Sequence, residues 1–213
     1  MVTRSADEEK WNALTHLMGA VLALAGLVWM CVIVAGSGWT VAGVACVVYA
    51  VTLLLMFVAS TLSHSFQEER KLHRYRALDQ ACIYLLITGT YTPLSIHCWN
   101  TLSAHLLLAV MWAISISGFV AKLFFDHRIN RVSVFAYVAL GWMPIIGLPF
   151  HSHWPVAPML WVLFGGIVYS LGTMFLINDR KSKWFHPAWH LSVVFASAIH
   201  FAAVVRFVAF SGD

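Results

Sequence analysis

Apolar residues in this chain run in long unbroken blocks, and charged residues are confined to the gaps between them. Lys10 to Glu68 encloses 57 residues without Asp, Glu, Lys or Arg; Asp79 to Lys122 encloses 42, Arg131 to Asp179 encloses 47, and Lys183 to Arg206 encloses 22. One helical crossing of a bilayer needs about 20 apolar residues, so the blocks hold two, two, two and one crossings. Turn-forming residues divide the double blocks: Gly36-Ser37-Gly38, His97-Cys98-Trp99-Asn100, and His151-Ser152-His153-Trp154-Pro155. The predicted helices cover 12–35, 40–66, 77–97, 102–124, 130–150, 155–178 and 185–210. Strands of a membrane barrel would alternate apolar and polar positions, and stretches such as 41–59 do not. The pattern predicts an all-α integral membrane protein, a seven-transmembrane helix bundle forming one domain over 1–213, because its loops leave no room for another.

Composition agrees and narrows the field. Of 213 residues, 61% are hydrophobic and 10% charged, against about 25% charged in soluble domains. An ordinary soluble fold, a disordered chain and a disulfide-stapled module are excluded. Cys31, Cys46, Cys82 and Cys98 form no CxxC pair and read as small apolar residues. The first apolar stretch is too long for a signal-peptide core and is expected to persist as the first helix. Twelve of the 13 Lys and Arg residues flank helix 1 or lie between helices 2 and 3, 4 and 5, or 6 and 7; Arg206 is the exception. By the positive-inside rule that side is cytoplasmic, with the N-terminus inside and the C-terminus outside. The same bias explains the net charge of +4 without nucleic acid as a partner.

Ionisable groups within lipid are costly, so each is a functional candidate. His64 closes helix 2, with Ser60 one turn earlier; Asp79 lies in the first turn of helix 3; His186 and His190 open helix 7. At about 1.5 Å per residue, all four charge-capable groups fall about 4–10 Å inside the basic boundary, in one layer. Two histidines at i and i+4 share a helix face. A third from another helix completes a three-histidine set whose fourth position stays open to water, the layout of a catalytic rather than a structural zinc. Asp79 is the partner to orient that water or take its proton, and Ser60 can hydrogen-bond to Asp79 or to substrate. The string HPAWH lacks the glutamate of HExxH zinc helices, so any base comes from elsewhere. The alternatives are an interfacial histidine at a helix end, or a Ser60–His64–Asp79 hydrolase. The latter has no nucleophile elbow and leaves the helix 7 pair idle.

Other polar positions carry less. His16, one turn after Asn12, is either a supporting partner of the site or a packing residue. His73, His127, His151 and His153 read as solvated loop histidines. His200 shares the face of His186 but lies about 21 Å along the axis, too far to join the same site. Gly89-Thr90-Tyr91-Thr92-Pro93 predicts a kink and close helix packing, and the tryptophans read as interfacial anchors.

Three strings, Ser60-Thr61-Leu62-Ser63-His64, Asp79 to Pro93, and His186-Pro187-Ala188-Trp189-His190, closely resemble the hemolysin III family, the bacterial branch of the progestin and adipoQ receptor superfamily. Asn12 with His16 is similar to that family's first-helix pattern. The resemblance implies zinc on His64, His186 and His190, with Asp79 and Ser60 beside the metal-bound water. It also implies kinship with proposed membrane hydrolases of lipid amides, ceramide-like in the adiponectin receptors. Gln80 and Ser63 depart from the pattern, standing where histidine and an aromatic residue are common. The short stretch before helix 1 predicts a bacterial member, hence a multi-pass protein of the bacterial inner membrane. The expected function is zinc-dependent hydrolysis of a lipid amide or ester in membrane lipid homeostasis, with membrane lipids as partners. A non-enzymatic zinc-stabilised regulator or receptor, and a pore-forming haemolysin, are the alternatives. The oligomeric state stays open.

Overall fold

A computed structural model describes residues 5–124, 131–146 and 155–210. Among the described residues seven α-helices follow in order: α1 (Ala6–Ser37), α2 (Val41–Ser65), α3 (Glu69–Leu94), α4 (Leu102–Phe124), α5 (Arg131–Ile146), α6 (Val156–Ile177) and α7 (Phe185–Val204). Single π-helical turns extend α3 over Ser95–Trp99 and α7 over Val205–Ala209. No strand occurs among the described residues. Among the described residues, five helices (α1, α2, α4, α6 and α7) are long and apolar enough to cross a membrane.

Local signals set the helix ends. Ser5 caps α1: its Oγ accepts from the Glu8 N–H, and the Glu8 carboxylate accepts from the Ser5 N–H, a reciprocal capping box. This start phases Glu9, Asn12 and His16 onto one face. Gly38 ends the connection with φ 85°, a conformation open to glycine. Thr40 Oγ1 then caps α2 by accepting from Gly43 N–H. Two helices begin earlier than hydropathy predicts, α1 at Ala6 and α3 at Glu69. Their first turns carry charges, so an apolar-run criterion stops at the lipid boundary while the backbone helix continues past it. The predicted break near 97–100 falls at Asn100, after the π-helical turn. Loop positions His127, His151 and His153 lie outside the described residues.

Each helix packs on its neighbours. α1 lies on α2, α2 on α3, α3 on α4, α6 on α7, and α7 returns to α1; α5 touches α3, α4 and α6. α3 also reaches α7 and is the inner helix. Gly89 lets α3 approach α2, where a Cβ would collide with Thr52. Outward positions such as Leu17, Val21, Val28, Leu160, Phe164 and Leu171 are exposed apolar groups, suited to lipid. Interior polar groups pair across helices: Thr88 with Ser115, Tyr91 OH to the Gly141 carbonyl, and Tyr137 OH to the Gln80 carbonyl. In a medium without water those partners must come from the protein.

Candidate metal centre

The three histidines proposed from sequence converge. One ring nitrogen from each of His64, His186 and His190 lies within 4.8 Å of the others, and all three residues are buried. Ring centroids form a near-regular triangle with sides of 5.1, 4.9 and 4.6 Å. α2 delivers His64 from its last turn, and α7 delivers the other two from its first two turns. Pro187 is compatible with this because it sits in the first turn of α7, where the missing N–H has no intrahelical partner to lose.

The outer nitrogens decide what the inner ones are. His64 Nδ1 lies 2.5 Å from Glu9 Oε2, and the other Glu9 oxygen accepts from Arg76 Nη2 at 3.2 Å. His186 Nδ1 faces Asp179 Oδ2 at 3.3 Å. His190 Nδ1 lies 3.2 Å from the Asn12 carbonyl and 3.1 Å from Thr15 Oγ1. Carboxylates and carbonyls only accept, so each Nδ1 carries the ring proton and each Nε2 presents a lone pair. Three acceptors then face one another, with His64 and His186 Nε2 just 3.4 Å apart. That contact is repulsive unless a cation lies between them. Ligands at 2.0–2.1 Å around a tetrahedral zinc stand about 3.4 Å from each other. The donor set therefore fits a divalent metal, and outer partners that fix imidazole tautomers are the usual companions of such sites.

His16 stacks on His190, with ring centroids 3.7 Å apart and 28° between planes, and holds that ring's orientation. Asp79 and Ser60 line the cavity that also reaches His186 and His190. The Asp79 carboxylate accepts a hydrogen bond from Ser63: Ser63 Oγ lies 3.0 Å from Asp79 Oδ2 and 2.9 Å from the Ser60 carbonyl, sharing one proton between two acceptors. The Ser60 hydroxyl interacts with the same carboxylate. Sequence reasoning did not single out Glu9, Asp179 or Thr15, and noticed Ser63 solely as a departure from pattern. For Glu9 a signal existed, since it precedes Asn12 by three residues and His16 by seven on one face of α1.

From the centre the cavity extends between α3, α5, α6 and α7. Ile83, Leu86, Ile87, Val138 and Val193 form apolar wall.

A bundle of apolar helices around a buried three-histidine cluster defines a helical membrane protein with a candidate metal centre. The chain belongs to the haemolysin-III-related family, whose pattern matches residues 4–201. It is 34% identical to Hemolysin-3 of Bacillus cereus over 208 residues, 97% of this chain and 94% of that protein. Similarity to the Hemolysin-3 homolog of Bacillus subtilis (strain 168) is also 34%, over 93% of each chain. The human Monocyte to macrophage differentiation factor is 24% identical over 167 residues, 76% of this chain and 69% of that protein.

Proposed function

We propose that the chain is a zinc-dependent hydrolase of a lipid amide or ester, working inside a bacterial inner membrane with its basic loops and histidine cluster on the cytoplasmic side. The observation that carries this reading is the set of three buried imidazole acceptors facing one another, open to an apolar cavity lined by an ionisable carboxylate. Zinc held by His64, His186 and His190 would supply a Lewis acid able to polarise a carbonyl and activate water.

The remaining work falls to the chain's own side chains. The apolar walls admit an acyl chain and exclude bulk water. Ser63 holds Asp79 through Oδ2, and the carboxylate accepts a proton as water attacks the acyl carbon. As the new C–O bond forms and the C–N or C–O bond to the headgroup breaks, Asp79 returns that proton to the departing amine or alkoxide. Ser60 supports the carboxylate. Glu9, Asp179 and the Asn12 carbonyl keep the three rings in the tautomer that presents Nε2 inward.

The test is fatty-acid release by purified protein from lipid amides and esters, followed by mass spectrometry. Release should stop on chelation and return with added zinc. Zinc-loaded protein that releases no acid from any lipid amide or ester would overturn the proposal. One observation favours a second reading: the cluster joins α2 to α7 with α1 behind it, so a cation could serve purely as a clamp. Chelation would then lower the melting temperature with no reaction to lose. The relatives' name suggests lysis, but the apolar walls suit an acyl chain better than a column of water.

Glu9→Ala provides a sharper check on how the centre is built. Loss of an outer partner typically weakens metal binding by about 10–100-fold, read as the zinc Kd in competition with a chelator. An unchanged Kd would show that Glu9 does not orient His64.

A further inference from the structure

The cavity does not end in apolar wall. His200 lies ten residues beyond His190 on α7, about 15 Å further along the helix axis, and it lines the same cavity. Its Nε2 lies 3.1 Å from the Val162 carbonyl of α6. A carbonyl only accepts, so Nε2 carries the proton and Nδ1 is a bare acceptor. Nδ1 has no hydrogen-bond partner among the described residues. Gly165 makes room for this histidine, since a Cβ there would overlap the ring. Beside it, Tyr169 OH and Ser197 Oγ pair at 2.6 Å, and the Tyr169 ring centroid is 5.6 Å from that of His200. An acceptor kept in an apolar cavity without a donor costs stability, and a phenylalanine would fill the same space at no such cost.

We propose that His200, flanked by Tyr169 and Ser197, is a second polar subsite that accepts a hydrogen bond from a hydroxyl on the distal part of a bound acyl chain. The ligand class is a mid-chain hydroxylated fatty acyl group, with its carbonyl end at the histidine cluster. Three consecutive chain bonds extend about 3.3–3.6 Å; with about 2.8 Å of the 15 Å taken by the hydrogen bond itself, about 11 bonds remain, which places the hydroxyl near carbon 12. This assignment rests on the lipid reading of the cavity.

The experiment is displacement of a fluorescent fatty acid from zinc-supplemented protein in nanodiscs. The competitors are stearate, 2-hydroxystearate and 12-hydroxystearate. Wild-type protein should bind 12-hydroxystearate about fivefold more tightly than stearate, while 2-hydroxystearate gains nothing. His200→Phe should erase the advantage, so that 12-hydroxystearate and stearate bind the variant alike. Equal binding of all three acids by wild type, or an advantage that survives His200→Phe, overturns the subsite. The wild-type series decides alone if the variant fails to fold. Failure of every acid to bind overturns the lipid cavity itself, and the subsite with it.

Discussion

His190→Ala is expected to abolish zinc binding, taking the purified protein from one zinc per chain to a trace. Structural zinc sites are worth about 10–16 kcal/mol of binding free energy. Shared over three imidazoles, that is about 3–5 kcal/mol for each ligand, or about a thousandfold in affinity. His190 is also among the most completely buried side chains of the protein, packed against His16 and bonded to the backbone of α1. Its removal leaves a cavity and an uncoupled α1–α7 contact, so the melting temperature should fall as well. The two effects separate in His190→Gln, which restores most of the volume without restoring the imidazole: stability should recover in part and zinc should not. Normal zinc content in both variants would remove His190 from the centre. Lost turnover with full zinc content would make it a contributor to chemistry rather than to binding.

Asp79→Asn should lower turnover by about 10²–10⁴-fold, the usual contribution of a positioned general base, while zinc content and substrate KM stay near wild type. The amide keeps the size of the carboxylate and can still accept from Ser63, so the fold is preserved and proton transfer alone is removed. Both serines bond to this carboxylate, so Ser63→Ala and Ser60→Ala should cost about tenfold or less. Full turnover in Asp79→Asn would contradict the assigned role. Loss of zinc together with turnover would make Asp79 a ligand.

The lipid environment makes some features of such a chain conspicuous and hides others. A crossing must be about 20 apolar residues long, so uncharged runs mark it without any knowledge of packing. An ionisable group inside a run has no cheap explanation, which is why His64, Asp79, His186 and His190 stood out. Helix geometry placed the last two on one face, and their depth matched that of the others. Glu9 and Asp179 were not legible for the opposite reason. They lie among the charges of a helix start and a basic turn, where a carboxylate behind an imidazole looks the same as a solvated one. Thr15 was hidden because a helical threonine can satisfy itself on its own backbone, as its hydroxyl does on the Trp11 and Asn12 carbonyls. His200 was legible as too distant from the cluster. That it shares a cavity with the cluster depends on how α6 and α7 pack, and the order of residues does not encode that directly.

Anomalous diffraction at the zinc absorption edge, on crystals of the wild-type protein, shows whether the three imidazoles hold a metal. One strong peak is expected between α2 and α7, about 2.0–2.1 Å from Nε2 of each of His64, His186 and His190. A map with no peak among those rings, or with the three imidazoles turned away from one another, would contradict it.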